Sequence, residues 1–195
     1  VYYTDSSINP LYYNDGYYSD GQAIPNDLLR SNGFAWDGDH FDIENLINEG
    51  RFYILHRDHG FSSGWGAPYF ENTHLDNLFN AEKYPVVFSI NCSSGKFFYH
   101  ECFSEKFLRI KGKGAVGVIG ASNTSYSGYN DALSIGFFDA IWSNPGINPD
   151  FGTAGIPNPN PTPHTNIHQM GDVLNHGLIR MSETYGDLEY QYQLF

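Results

Sequence analysis

A cysteine and two histidines follow apolar segments, at points where side chains would leave a strand. His56 and His59 lie in RFYILHRDHGFSSGWG, where an apolar run gives way to charge and then to glycine and serine. Cys92 follows a second apolar run, in VVFSINCSSGKF. Loops at the carboxyl ends of parallel strands share one edge of a sheet, so we expect a histidine and the cysteine there. A thiol nucleophile and its base need that closeness in space.

The residues around this pair extend the catalytic interpretation. They favour His59 over His56 as the base, because His56 belongs to the end of the strand. Gly60 and the Ser-Ser-Gly after Cys92 leave backbone N–H groups uncrowded. Such amides could form an oxyanion hole, which is worth about 3–4 kcal/mol per donor.

Other interpretations of the same residues stay open. Cys92 could be an inert buried thiol, or it could form a disulfide with Cys102, which the helical pattern places in the core. His56 and His59 lie three residues apart, but no third ligand has a metal-like spacing. We therefore predict no zinc site.

Strand and helix patterns alternate along the chain. Such alternation predicts an α/β protein with a mostly parallel sheet, and continuous apolar strands indicate burial on both faces. The predicted strands are residues 51–55, 86–90 and 115–120, and the predicted helices are residues 40–50, 72–80, 101–110, 130–142 and 166–185.

Composition limits the function classes. The 195 residues fit one domain, residues 1–195. Residues 145–166 contain six of the ten prolines, which predicts a long surface loop there. A net charge of −12 argues against nucleic acid and anionic membrane surfaces as partners. No apolar run approaches the ~20 residues that span a bilayer. Two cysteines make no disulfide framework, and the richness in Asn, Gly, Tyr and Ser is typical of secreted or cell-surface proteins.

The segment DHGFSSGWGAPYFENTHLDNLFNAEKYPVVFSINCSSGKF resembles the catalytic core of the gingipain family of cysteine peptidases, which belongs to the clan of caspases and legumains. The resemblance continues through ECFSEKFLRIKGKGAVGVIGASNTSYSGYNDAL and covers roughly residues 45–138. Its motifs are HG, the Trp shortly after it, C-x-x-G-x-F, the CF-x-E helix and the GA-x-G-x-IGAS strand. It implies a caspase-haemoglobinase-like three-layer sandwich, with a mostly parallel sheet flanked by helices.

The resemblance also implies roles for individual residues. His59 matches the catalytic histidine and Cys92 the nucleophile, and the backbone amides of Gly60 and Cys92 would hold the oxyanion. The family usually has glycine or a small polar residue where this chain has Asp58. An anion beside His59 would stabilise an ion pair of thiolate and imidazolium.

A substrate pocket is implied past the third strand. Ser125, Tyr126 and Ser127 would border the pocket for the side chain before the scissile bond, with Tyr126 as an aromatic wall. Gingipains select Arg or Lys with an acidic residue upstream of the HG pair. Asp20 is the first candidate for that residue here, and Asp15 is the second.

The expected function is therefore that of a cysteine endopeptidase acting through a Cys-His dyad and an acyl-enzyme thioester, with cleavage after a basic residue. A sortase-like surface transpeptidase of the same family is one alternative, and a non-catalytic glycan- or protein-binding surface domain is another. The expected partners are a protein or peptide substrate and an upstream half-domain or propeptide, since the chain looks like a piece of a longer precursor. No cofactor is required, although the family allows structural calcium.

Overall fold

A three-stranded parallel sheet forms the centre of the fold. The computed structural model describes residues 9, 11–12, 23–98, 100–143, 164–186 and 194–195. Its strands are β1 Tyr53–His56, β2 Gly60–Phe61, β3 Gly64–Gly66, β4 Tyr69–Glu71, β5 Val86–Ser89 and β6 Gly117–Gly120. Its helices are α1 His40–Glu49, α2 Asn72–Leu75, α3 Phe103–Arg109, α4 Ser127–Ile141 and α5 Met170–Tyr185, and two 3-10 turns, Asn26–Leu28 and Arg30–Asn32, precede α1.

The central sheet has the order β1-β5-β6, with all pairs parallel. Its side chains alternate between two buried faces, as the period of two residues in a strand requires. On β5, Val87 packs with residues of α1, α2 and α3, whereas Phe88 packs with residues of α4 and α5. Helices on both faces of a sheet make the three layers that the sequence predicted.

Helices α4 and α5 approach each other closely at two glycines. A Cβ atom on Gly136 would lie 2.7 Å from the Cα of Gly177, which is closer than packed atoms come. The absence of side chains at both positions lets the helices bury Leu133 and Phe137 against the sheet.

The second sheet, β2-β3-β4, is antiparallel and was not predicted. Its strands are two or three residues long, which is too short to give a periodic pattern in the sequence. It carries Trp65 into the core, where the indole is 2% exposed and lies among aromatic residues that include Phe70 and Phe103.

Most predicted elements are confirmed, with shifted ends. Gly50 ends α1 as predicted, with a φ of +100°. The predicted helix over residues 72–80 is wrong beyond Leu75, because tertiary contacts replace the helical bonds: the backbone N–H of Phe79 donates to Asn48 Oδ1 at 2.7 Å.

Residues 145–163 of the predicted loop lie outside the described residues. No helix in the described ranges combines the length and the apolar character that a bilayer crossing needs.

Candidate active site

Three loops leave the same edge of the central sheet at the same level. His56, Ser89 and Gly120 end the three strands and are aligned in register. The chain then continues into His59, Cys92 and Ser125 respectively. The sequence predicted this arrangement of histidine and cysteine, and parallel strands produce it because all their carboxyl ends point the same way.

Cys92 lies in a tight turn that is bound to the loop after β6. The residue is half-buried and its thiol is free, as is that of Cys102, so the disulfide alternative is wrong. The thiol donates to the Ser125 carbonyl at 3.3 Å. Ser93 has a left-handed φ of +60°, which turns the chain directly after the cysteine.

Two of the amides expected in the oxyanion hole are already engaged. The N–H of Ser93 donates to the Asn123 carbonyl, and that of Gly95 donates to the Ala121 carbonyl, both at 2.9 Å. The expectation drawn from the Ser-Ser-Gly sequence was therefore wrong for these two donors. Gly95 is needed for another reason, because a Cβ atom there would lie 2.5 Å from the Gly120 carbonyl oxygen.

His59 is exposed and is held by its backbone. Its N–H donates to Asp58 Oδ1 at 2.6 Å, and its carbonyl accepts from the N–H of Gly66 at 2.8 Å. A Cβ atom on Gly66 would lie 2.8 Å from the Cβ of His59, so this glycine leaves room for the histidine. The unpredicted β2-β3-β4 sheet thus holds the backbone of the candidate base in place.

His56 is a structural residue in a buried hydrogen-bond network. Its ring stacks on Trp65 with centroids 4.6 Å apart, and its Nδ1 accepts from Asn91 Nδ2 at 2.9 Å. Burial lowers the pKa of His56 to about 4, although Asp58 and a hydrogen bond with the backbone of Ala67 act in the opposite direction. The ring is therefore neutral near pH 7.

Asn91 connects the two loops that carry His59 and Cys92, and no motif in the sequence predicted this role. Its side-chain amide donates to both His56 Nδ1 and Ser89 Oγ at 2.9 Å. Ser89 Oγ also accepts from Trp65 and donates to Ser94 Oγ. The carboxamide fills the space over Gly60, where a Cβ atom would lie 2.2 Å from Asn91 Oδ1. Its position directly before Cys92 was the only signal in the sequence.

The predicted pocket residues have different surroundings. Ser125 is buried, and its Oγ accepts from Asn130 Nδ2 at 2.8 Å, so its side chain faces α4. Tyr126 is 51% exposed at the start of α4. Ser127 is bound through both its carbonyl and its hydroxyl to Arg57 Nη2, at 2.8 and 2.6 Å. Asp20 and Asp15, the candidates for selecting a basic substrate, lie outside the described residues.

Arg57 is a further residue of the site, and no motif in the sequence indicates it. Besides binding Ser127, its Nε lies 2.5 Å from Asp131 Oδ1. Burial raises the pKa of Asp131, and the guanidinium of Arg57 counteracts that rise. The arginine thereby ties the loop of His59 to the first turns of α4.

A cavity of about 430 Å³ lies between α1 and β1, and its lining includes Arg57 and Asp58. Cys92 does not line this cavity. The cavity therefore lies beside the loop that leads to His59 and does not include the candidate nucleophile.

One group of side chains among the described residues has the composition of a metal site: Asp139, His164 and His176. The group has no motif in the sequence, because the two histidines lie 25 and 37 positions after the aspartate.

Solved structures define the class of fold. The crystal structure of the Arg-specific cysteine proteinase gingipain R matches with a TM-score of 0.65 and 21% identity, over 78% of this chain and 32% of that chain. A complex of the pro- and mature domains of RgpB from Porphyromonas gingivalis matches with a TM-score of 0.61 and 21% identity, over 79% of this chain and 34% of that one. The fold is the caspase-like α/β fold of these proteinases.

Sequence comparison then gives the family. The model of peptidase family C25 matches residues 2–194, and the chain belongs to that family. Lys-gingipain from Porphyromonas gingivalis is 32% identical over 106 residues, which is 54% of this chain and 6% of the relative. Gingipain R2 from the same organism is 31% identical over 74 residues, which is 37% of this chain and 10% of the relative. The chain thus spans a small part of the curated relatives that it matches.

Proposed function

We propose that this chain carries the catalytic centre of a cysteine endopeptidase, with Cys92 as nucleophile and His59 as general acid and base. The observation that supports this most directly is the register of the central sheet. Adjacent parallel strands end at His56 and Ser89, so His59 and Cys92 follow at the same edge of the sheet. The chain is also a member of peptidase family C25.

The reaction would follow from these two groups. The Cys92 thiolate attacks the carbonyl carbon of the scissile peptide bond, and a tetrahedral oxyanion forms. As the C–N bond breaks, the His59 imidazolium gives its proton to the leaving amine, which leaves a thioester on Cys92. His59 then takes a proton from water, and the resulting hydroxide releases the acid and the free thiolate.

The amides of Gly60 and Cys92 are the proposed oxyanion donors. The engaged state of the Ser93 and Gly95 amides supports this choice, because both already donate to carbonyls of the third loop. The hydrogen bond from the Cys92 thiol to Ser125 implies that the thiol is released from that carbonyl when the thiolate forms.

The substrate is proposed to be a peptide with a basic residue before the scissile bond. The names of the relatives, Lys-gingipain and the Arg-specific gingipain R, support this preference. Tyr126 would provide one wall of the pocket. The carbonyls of Ser125 and Ser127 accept hydrogen bonds from Cys92 and Arg57, and these contacts would hold the loop that borders the pocket. Asp20 is the proposed acidic partner of the basic side chain.

The chain is further proposed to act at the cell surface or after secretion, with an upstream segment or propeptide as partner. The complex of pro- and mature domains formed by the structural relative supports the second point. Structural calcium is a proposal that rests on the family resemblance alone.

The experiment that tests the function uses peptidyl acyloxymethyl ketones, which alkylate an activated catalytic thiol. The full chain is treated with two probes that differ only in Arg or Glu beside the reactive ketone, and adducts are located by mass spectrometry. We expect the Arg probe to modify Cys92, and the variant His59→Ala to react at least 100-fold more slowly. Cys102→Ala is the matched control and should react like the unmodified protein.

Equal labelling rates with and without His59 would contradict the dyad. If the Glu probe modified Cys92 at the same rate as the Arg probe, Cys92 would still be the nucleophile, but the proposed preference for a basic residue would be wrong. Hydrolysis of a peptide amide in the presence of glycine amide distinguishes a peptidase, which releases the free acid, from a transpeptidase, which releases the amide adduct.

A further inference from the structure

A compact cluster of one carboxylate and two imidazoles connects three separate parts of the chain. Asp139 belongs to α4, His176 to α5, and His164 to the segment that precedes α5. Asp139 Oδ2 lies 2.7 Å from His176 Nε2 and 3.2 Å from His164 Nε2. All three side chains are largely buried, with exposed fractions between 16% and 22%.

The tautomer of His164 is decided by its other nitrogen. Nδ1 lies 2.9 Å from the carbonyl oxygen of Thr165, and a carbonyl only accepts hydrogen bonds, so Nδ1 carries the proton. In the neutral ring Nε2 then has a lone pair, and it faces a carboxylate oxygen at 3.2 Å. Two such groups repel each other unless a cation lies between them or a proton on the ring or on the carboxyl group joins them.

This arrangement is typical of histidines that bind metals. A metal-ligating imidazole usually donates its second N–H to a backbone carbonyl or a carboxylate, which fixes the ring and directs the free nitrogen at the ion. His164 has that second contact through Thr165. His176 directs the same nitrogen, Nε2, at the same oxygen.

The segment that carries His164 is well anchored next to α4. The N–H of Ile167 donates to the Ala140 carbonyl at 2.8 Å. Asn166 Oδ1 accepts from both the N–H and the hydroxyl of Ser143 at 2.9 Å. These contacts hold the segment with His164 beside α4 independently of the cluster.

We propose that Asp139, His164 and His176 bind one Zn²⁺ ion. Two imidazole nitrogens and one carboxylate oxygen are ligands that zinc takes, at about 2.0–2.2 Å, and a tetrahedral site of that size has ligand atoms about 3.3 Å apart. The 3.2 Å separation matches that spacing, and the 2.7 Å separation would lengthen by about 0.6 Å around the ion. The three ligand atoms all lie within 4.8 Å of one another. Calcium fits less well, because it takes six to eight oxygen ligands.

The site is distinct from the proposed catalytic edge. Ser127 begins α4 at that edge, and Asp139 lies about 18 Å further along the helix axis, given a rise of about 1.5 Å per residue. The ion would act on stability by linking α4, α5 and the segment before α5. Because the unfolded chain has no preformed site, zinc binding would add directly to the free energy of unfolding.

The test uses the full chain with Cys92→Ala, since the free half-buried thiol would compete for zinc. After treatment with a chelator, the protein is titrated with ZnCl₂ by calorimetry and is melted with and without zinc. We expect one zinc ion per chain with a micromolar or tighter Kd, together with a rise in Tm. Asp139→Asn and His176→Ala should each weaken binding at least 10-fold and remove the Tm shift.

His168→Ala is the matched control, because His168 is exposed in the same part of the chain and is not among the proposed ligands. Cobalt binding gives a readout that does not depend on stability: tetrahedral Co²⁺ should give visible absorption bands that Asp139→Asn abolishes. If zinc neither binds nor raises Tm, the cluster is held by its own hydrogen bonds alone and the proposal is wrong. Equal zinc affinity in His176→Ala and His168→Ala would also overturn it. Neither outcome bears on the catalytic proposal, since Cys92 is absent from the protein tested.

Discussion

The side-chain amide of Asn91 donates a hydrogen bond to Nδ1 of His56 at 2.9 Å, and both residues are buried. Asn91 directly precedes the candidate nucleophile, and His56 ends the strand that leads to the candidate base. This bond therefore adds a side-chain link between the two strand ends that lead to the proposed dyad, beside the backbone bond from the Ile90 N–H to the His56 carbonyl. It requires an unprotonated Nδ1, because the donor is an amide N–H.

The neutral state of His56 predicts a loss of stability in mild acid. The pKa of this ring is about 4 in the folded protein and 6.5 when unperturbed. Between these pH values the unfolded chain takes up a proton that the folded chain does not. The stability that is present above pH 6.5 thus falls as the pH drops towards 4, by about 3 kcal/mol, since one pKa unit is worth about 1.4 kcal/mol.

Urea unfolding at several pH values from 7 to 4, followed by tryptophan fluorescence, measures this fall. The comparison is with His56→Asn, whose carbonyl oxygen keeps an acceptor for Asn91. The variant should be less stable at pH 7 and should show a shallower decline. Parallel curves for the two proteins would show that His56 is not the group responsible.

The central sheet was predictable because its strands are continuous apolar runs, and continuous runs identify buried parallel strands. The same signal placed His59 and Cys92 at one edge. It could not find the β2-β3-β4 sheet, where strands such as Gly60–Phe61 are too short to give a periodic pattern. That sheet depends on tertiary packing of Trp65 rather than on local preference.

The supporting residues of the site could not be predicted for a different reason. Arg57 contacts Ser127 across 70 positions, and Asn91 contacts His56 across 35. Neither contact has a local pattern. Both contacts depend on which strands are neighbours in the sheet. The sequence indicated the class of fold, but not these individual contacts.

Gly60→Ala should damage the site through Asn91. The added methyl group would lie 2.2 Å from Asn91 Oδ1, so the amide or the loop of His59 must move. We expect a loss of about 2 kcal/mol in stability and at least a 10-fold fall in kcat/KM. Asn91→Ala alone should cost about 1–3 kcal/mol, because it leaves buried polar groups without their donor.

The double variant distinguishes a steric cause from an effect of the backbone. In the Asn91→Ala protein the methyl group at position 60 has space, so the double variant should lose at least about 1 kcal/mol less stability than the sum of the two single losses. Gly171→Ala is the control, because nothing lies within 4 Å of a Cβ atom there. Simple additivity of the two losses would contradict the proposed contact.

Arg57→Lys should raise KM more than it lowers kcat. A lysine has one charged nitrogen and cannot bind the carbonyl of Ser127 and the carboxylate of Asp131 with the separate donors that arginine uses. The loop with Tyr126 would then be less firmly held, while the dyad remains. Steady-state kinetics with a peptide amide measures the two constants separately.

Ser127→Ala should have a smaller effect on KM, since its carbonyl still accepts from Arg57 at 2.8 Å. Arg109→Lys is the matched control, because that arginine pairs with Glu105 on the exposed side of α3. An Arg57→Lys enzyme with unchanged KM and a low kcat would assign the arginine to the chemical step instead of the pocket.

Cys92 and His59 should behave as one catalytic unit. If the thiolate is the nucleophile and the imidazole serves only that thiolate and its leaving group, then removing either abolishes the same pathway. Cys92→Ala and His59→Ala should each lower kcat/KM for a peptide amide by at least 10³-fold, and the double variant should be no worse than the more damaged single one. Cys102→Ala should retain activity, because that thiol is buried at the start of α3. Losses that multiply in the double variant would mean that the two residues act independently, and His59 would then not be the base that serves Cys92.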